Sequence, residues 1–395
     1  MFADLWTVLI AVIFVSVNGM TMLAWAAQQG YKMKPTAFAY IIGAVGNLVT
    51  GSITPIAGQS SVLTVSHFMK NMNDRVGALL IAVVGMTILG LTGGVTWIAA
   101  FAGQPVIWGM MAGVGIMLAG ICFNMVDQAK RTGIISVVSA LITFAIFLGN
   151  PNQLVYVIAV SVSLAVIDFA IIQKKRVDIL QAATEAGYTG DMNQNTSWKF
   201  WAKENREDFT IIKPKFGLKA IYFALAFICI NIGTNISFAG INTGMTAVDG
   251  TPAIVQNLDH LTIINGIADI PSVIFGGAPV GAIISATAAS PWPVAAGVIM
   301  MAFCAILLLF GLMTKAFKYV PVQSLAGFLL IIGLFSTFVP NLRNVFMFNG
   351  GAPGDMAIVQ AAFAMALTAL TKNPFIGMVG GIAVYYIGHL FFMFL

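Results

Sequence analysis

The sequence predicts an all-α polytopic membrane protein, with about 14 transmembrane segments in a seven-plus-seven inverted repeat. Three observations carry that expectation. Runs of about 17 to 25 apolar residues recur from one end of the chain to the other, the length a helix needs to cross a bilayer. Hydrophobic residues make up 59% of the chain and charged residues 8%, a balance foreign to soluble domains. Two stretches broken by Gly and Pro stand at corresponding places in the two halves, where a spanning helix should be continuous.

Taken in order, spanning segments are expected at 4–27, 36–53, 59–69, 76–93, 105–125, 133–149 and 152–173, the third being only a partial helix. A polar, charged linker follows from Gln173 to Phe216. Further segments are expected at 218–240, 257–275, 284–290, 292–313, 321–339, 355–371 and 374–394. This divides the chain into a first repeat at 1–172, a linker at 173–217 and a second repeat at 218–395. An odd number of spans per repeat forces the second to insert upside down relative to the first. The fifth and twelfth segments support the duplication. Each opens on Pro-Val (Pro105-Val106, Pro321-Val322) and continues with spaced glycines, Gly109, Gly113 and Gly115 against Gly327 and Gly333. Small residues of this kind let helices approach closely in lipid.

The two interrupted stretches share one grammar. Gly51-Ser52-Ile53-Thr54-Pro55-Ile56-Ala57-Gly58-Gln59-Ser60-Ser61 matches Gly276-Gly277-Ala278-Pro279-Val280-Gly281-Ala282-Ile283-Ile284-Ser285-Ala286-Thr287: Gly, then Pro, then small residues, then a Ser/Thr-bearing short helix. In hydrocarbon every backbone N–H and C=O must find a partner within the protein, so neither stretch can face lipid. Both are expected to have extended starts, to cross inside the bundle and to border a substrate site.

Several function classes are excluded. The net charge of +5 sits in loops and is not a nucleic-acid footprint. Cys122, Cys229 and Cys304 lie in separate apolar segments and read as packing thiols. His67, His260 and His389 are scattered without metal-ligand spacing. No metal, no cofactor and no enzyme activity is expected, and with no nucleotide-binding loop any pumping is driven by gradients. Asp4 and the lack of a basic start argue against a cleaved signal peptide. The expected location is the cell membrane, with multiple passes.

The motifs resemble those of the xanthine/uracil permeases, the nucleobase–cation symporter and nucleobase/ascorbate transporter family. Asn265-Gly266-Ile267-Ala268-Asp269 through Phe275-Gly276-Gly277-Ala278-Pro279 is similar to that family's Asn/Asp-Gly-Leu-Ala…Phe-Gly-x-x-Pro run, and Ile232-Gly233-Thr234 after Phe227 to its eighth helix. The resemblance implies a core domain of segments 1–4 and 8–11 and a gate of segments 5–7 and 12–14. It also implies a homodimer, elevator-like alternating access, and transport of a nucleobase or similar small heterocycle, with coupling to H⁺ or Na⁺ left open. The chain departs from the family where acidic residues are usual: Ile230 stands at one such position, and Ser285 followed by Ala286 at the other. An alternative therefore keeps the fold and changes the substrate to a sulfate, bicarbonate or carboxylate anion, as in the related sulfate-permease group. Opposed half-helix N-termini without carboxylates favour anions.

With those carboxylates missing, substrate binding is expected from Gln59, Ser60 and Ser61 in the third segment, Asn231 and Thr234 in the eighth, and Ser285 and Thr287 in the tenth. Each fits a helix–helix hydrogen bond equally well. Asp269 is the one deep carboxylate, a helical turn after Asn265, and the pair is the expected ion-coupling site, with Asn265 hydrogen-bonded to Asp269. Asp168 is expected to pair with Lys174 or Lys175.

Charge bias sets the orientation. Of the 19 Lys and Arg residues, Arg343 alone falls on the side opposite the linker, which makes the linker cytoplasmic and the termini external; the family resemblance implies cytoplasmic termini instead. A thiol introduced at Ser197 in cysteine-free protein should resist a membrane-impermeant reagent in intact cells. Rapid labelling from outside would reverse the orientation.

Overall fold

A computed structural model describes residues 2–28, 30–58, 69, 71–175, 209–246, 252–312, 319–351 and 354–393. Of the expected third segment only Met69 is among them, and of the linker only 173–175 and 209–217. The chain begins with helices α1 (Phe2–Gln28) and α2 (Met33–Thr50), then a short strand β1 (Ile56–Gly58). Helices α3 (Met72–Leu91), α4 (Gly94–Ala102), α5 (Gln104–Gln128), α6 (Lys130–Ile146) and α7 (Gln153–Val166) follow, the last widening into a π-helical turn at Ile167–Ile172. The chain continues with α8 (Leu218–Thr246), α9 (Leu258–Ile274), strand β2 (Val280–Ala282), a 3-10 turn (Ala286–Ala289) and α10 (Pro293–Leu309). It ends with α11 (Ala326–Ile331), a π-helical stretch (Ile332–Phe338), α12 (Val339–Phe346), α13 (Asp355–Thr371) and α14 (Pro374–Met393).

Local chemistry explains the boundaries. Asn71 caps α3 by accepting the Asn73 N–H at 3.2 Å, and Asn257 caps α9 by accepting the His260 N–H at 2.9 Å. Pro105 and Pro293 stand in the first turns of α5 and α10, where a missing N–H costs nothing. Pro340 stands in the first turn of α12, immediately after the π-helical stretch; its missing N–H breaks the regular ladder there, and the helix widens upstream of it. Five helical stretches among the described residues are long and apolar enough to cross a membrane. The segment expected at 76–93 begins earlier, and the short helix α4 was not expected at all.

Packing gathers α9 against α3 and α2, and α10 against α2 and α1. Elsewhere α13 packs on α14 and α5, α6 on α7, and the π-helical stretch on α5. The paired glycines of the fifth and twelfth segments meet each other: a Cβ on Gly115 would lie 2.5 Å from Gly333 O, and one on Gly333 2.7 Å from Gly115 O. Backbone-to-backbone contact of this kind replaces the hydrophobic effect, which is absent between helices in lipid. Cys122 and Cys304 are buried free thiols, as their apolar surroundings suggest. Asp168 pairs not with Lys174 or Lys175 but with Arg131, whose Nη2 lies 2.7 Å from Asp168 Oδ1. Gln173 also donates to its other oxygen. The carboxylate is 3% exposed, and Arg131 on the facing helix α6 reaches it with two N–H donors.

Two substitutions on α5 separate close packing from helix propensity. A Cβ at Gly109 would overlap the backbone of Ala361 on α13, whereas one at Gly120 meets nothing within 4 Å. Gly109→Ala should destabilise the detergent-solubilised protein by about 1–3 kcal/mol through overpacking, and Gly120→Ala should leave thermal stability unchanged or raised.

Candidate substrate site

The site is built on two breaks in helical structure that meet inside the bundle. Strands β1 and β2 pair antiparallel, with Ile56 opposite Ala282, Ala57 opposite Gly281 and Gly58 opposite Val280. The Ile283 N–H extends the ladder to Pro55 O at 3.1 Å. Every residue of both strands is buried.

Each break is entered in the same way. Helix α2 ends at Gly51, whose φ of 68° a side chain would resist, and α9 gives way at Gly276, with φ 82°. The Ser52 N–H returns to Asn47 O at 3.0 Å, and the Gly277 N–H returns to Ser272 O at 2.7 Å. The side chains of those same two residues then reach forward. Asn47 Nδ2 donates to Thr54 O at 2.8 Å, and Ser272 Oγ donates to Ala278 O at 3.2 Å. Thr54 and Ala278 each precede a proline, which forces them out of the helical region. Pro55 and Pro279 also bring no N–H of their own, one donor fewer to satisfy at depth.

Side chains supply most of the remaining partners. Gln256 Oε1 accepts the Ile53 N–H at 3.0 Å and the Ser52 hydroxyl at 3.1 Å. Tyr40 Oη accepts the Gly58 N–H at 3.1 Å, and Thr36 Oγ1 accepts the Ala278 N–H at 2.8 Å. Asp269 Oδ1 accepts the Val280 N–H at 2.9 Å. The Ile56 N–H finds only the thioether of Met301, at 3.5 Å.

Asn242 on α8 ties the two breaks together. Its Nδ2 donates to Ile283 O at 2.8 Å and to Thr54 Oγ1 at 3.2 Å, while its Oδ1 accepts the Ser285 N–H at 3.0 Å. Beyond it the 3-10 turn starts with Ser285 as cap: Ser285 Oγ accepts the Thr287 N–H at 3.1 Å and lies 2.6 Å from Thr287 Oγ1. Both residues have no exposed surface.

The structure thus brings Ser285, Thr287 and Asp269 onto one crossing. Asn231 and Thr234 turn their donors inward on their own helix, to Phe227 O at 3.0 Å and Asn231 O at 3.1 Å. Gln59, Ser60 and Ser61 lie outside the described residues. Asn265 does not bond Asp269; its Nδ2 donates to Asn235 Oδ1 at 2.8 Å, and Asn235 donates on to Thr262 at 3.0 Å. Asp269 is not a solvated helix end either, being 1% exposed. Sequence reasoning missed Asn47, Thr36, Tyr40, Gln256, Ser272 and Asn242. For Asn242 a signal exists: Asn242-Thr243-Gly244-Met245-Thr246 echoes Asn18-Gly19-Met20-Thr21 with one residue inserted.

Asp269→Ala should destabilise the protein by about 1–3 kcal/mol, because the Val280 N–H is left buried without an acceptor. Asp269→Asn keeps an oxygen in place and should cost much less; thermal unfolding in detergent distinguishes the two.

No protein-family model and no curated protein matches the sequence. Solved structures do match in fold. The transmembrane domain of the cyanobacterial bicarbonate transporter BicA aligns with TM-score 0.54 and 14% identity, over 96% of this chain and 98% of that one. SLC26A9 aligns with TM-score 0.52 and 10% identity over 98% of this chain, which spans 65% of it. The murine Slc26a9 anion transporter in its inward-facing state gives 0.50 and 12%, over 99% of this chain and 68% of that one. These neighbours correct the resemblance to xanthine/uracil permeases. The Gly, Pro and small residues that carried it are what any chain needs to pass extended backbone through a bundle at membrane depth, so they report the crossing and not its cargo. The chain is a multi-pass membrane protein with the fold of membrane transporters, and that fold is shared with anion transporters.

Proposed function

We propose that this protein is a secondary transporter of a small anion of the bicarbonate or sulfate type. One observation carries the reading. A fold shared over nearly the whole length of a bicarbonate transporter's membrane domain surrounds a crossing lined by neutral hydrogen-bonding groups. Among the described residues the one carboxylate bonded to the crossing, Asp269, already accepts a backbone N–H and sits at the far end of β2 from Ser285. An anion beside Ser285 and Thr287 would meet the one hydroxyl proton that their mutual bond leaves free and the positive end of local backbone dipoles, without a fixed negative charge against it.

The antiparallel pairing of matched strands, entered by matched turns at Asn47 and Ser272, supports an inverted repeat with halves at 1–172 and 218–395. In this reading segments 1–4 and 8–11 form a core that carries the anion past a gate of segments 5–7 and 12–14. The core moves with both crossings as one body. Ser285 and Thr287 contact the anion, with Gln59, Ser60 and Ser61 contributing from the other crossing. Asp269 is the titratable group through which an ion gradient couples to transport.

Uptake into proteoliposomes tests this. Labelled bicarbonate or sulfate should accumulate, and labelled uracil and xanthine, run as controls, should not; uptake of the bases alone would end the anion reading. Asp269→Asn should lose gradient-driven accumulation of the anion while retaining anion exchange, since the amide oxygen preserves the bond to Val280. Full accumulation in that variant would remove Asp269 from the coupling mechanism.

A further inference from the structure

We propose that Asn242 is the positioning residue that locks the two crossings into one unit, acting on the anion only through the backbone it holds. This rests on the transport reading above for its functional consequence, but not for its structural one. The geometry is that of a strand that is not there. A backbone strand beside residues 283 to 285 would donate to Ile283 O and accept from the Ser285 N–H, and the single carboxamide of Asn242 makes both bonds, at 2.8 and 3.0 Å. Its donor nitrogen also reaches Thr54 Oγ1 of the opposite crossing at 3.2 Å. Asn242 has no exposed surface and both Nδ2 hydrogens are engaged, so it has no donor left to offer an anion.

The position of this clamp gives it leverage. It holds Ile283, the residue just past the end of β2, and Ser285, the cap of the 3-10 turn, so it sets where the Ser285 hydroxyl points. Thr54 stands at the matching point of the first break, just before Pro55, and its carbonyl is held by Asn47. The ladder of β1 and β2 joins the crossings through their backbones; among the described residues Asn242 is the side chain that bonds both, and it is anchored on a third element, α8. Without it the two breaks would remain paired yet could shear along the ladder, since three-residue strands that each carry a glycine specify register weakly.

The chemistry predicts an unusual variant. Asn242→Asp places a second acceptor against Ile283 O when ionised and should break the clamp. When protonated, the same carboxyl donates to Ile283 O and accepts from Ser285, as the amide does, so acidification should restore it. Among the described residues, Asp269, Tyr40 and Cys304 are the other titratable groups at the crossing, bonded through Val280 and Gly58 or standing on α10. All three are present in the unmodified protein, against which the profile is read.

The test combines backbone hydrogen exchange with transport in reconstituted full-length protein. In Asn242→Leu, amides in both 52–57 and 283–287 should exchange roughly tenfold faster, the equivalent of one buried hydrogen bond lost. Thr54→Val, which spares the bonds to Ile283 and Ser285, should show a smaller effect in both stretches, and adding it to Asn242→Leu should change little further. Uptake of labelled bicarbonate should show a raised KM in Asn242→Leu at every pH, and in Asn242→Asp only at high pH, falling towards the unmodified value on acidification. Unchanged exchange at 52–57 in Asn242→Leu, additive effects with Thr54→Val, or no recovery of Asn242→Asp at low pH would each overturn the proposal. If the unmodified protein moves no bicarbonate, the transport reading fails, and the exchange experiment still decides the role of Asn242. Should Asn242→Leu fail to fold, Thr54→Val and Asn242→Asp carry the same comparison.

Discussion

The constraint on which the rest of this structure depends is the backbone hydrogen bond at membrane depth. A helix satisfies its own N–H and C=O groups, and a stretch that leaves the helix does not. Here two such stretches run through the interior, and each unsatisfied group there would cost several kcal/mol. The two stretches satisfy part of the requirement by pairing with each other as β1 and β2. Nearly all the rest comes from side chains on α2, α8 and α9 and from Gln256, just ahead of α9: Thr36, Tyr40, Asn47, Asn242, Gln256, Asp269 and Ser272. These polar residues in an otherwise apolar bundle are thus placed by the backbone they serve.

This changes how buried polar residues in the chain are read. Asp269, the natural candidate for a charge-handling group, is also a structural acceptor for Val280, so its geometry and its charge are separate properties. Asn265 joins Asn235 and Thr262 in a chain of hydrogen bonds between α8 and α9. That chain ties two helices that otherwise touch sparingly. Directional bonds and close packing hold such pairs in lipid, where no hydrophobic driving force acts between helices.

Away from the crossing the architecture relies on small residues and on deliberate helix irregularity. Gly115 and Gly333 bring α5 and the π-helical stretch into backbone contact. π-helical turns follow α7 at Ile167–Ile172 and α11 at Ile332–Phe338. One is braced by the Arg131–Asp168 pair and the other by Asn341, whose Nδ2 donates to Thr337 O at 2.8 Å. Widened turns therefore occur where side chains are present to hold them.

The sequence by itself determined the membrane class, the position of most helices and the two interrupted stretches, because these depend on local properties: apolar run length, proline, glycine and their spacing. It also marked Ser285, Thr287 and Asp269, which follow directly from those stretches. Tertiary structure alone decided the partners. Thr36 and Ala278, Asn47 and Thr54, Asn242 and both crossings meet only once the helices are assembled. A hydrogen bond between residues far apart leaves no periodic trace in the chain. The same limit explains the misread family. Gly, Pro and small residues encode how the backbone passes through the bundle, and the identity of the cargo is written in side chains whose meeting the linear order does not reveal.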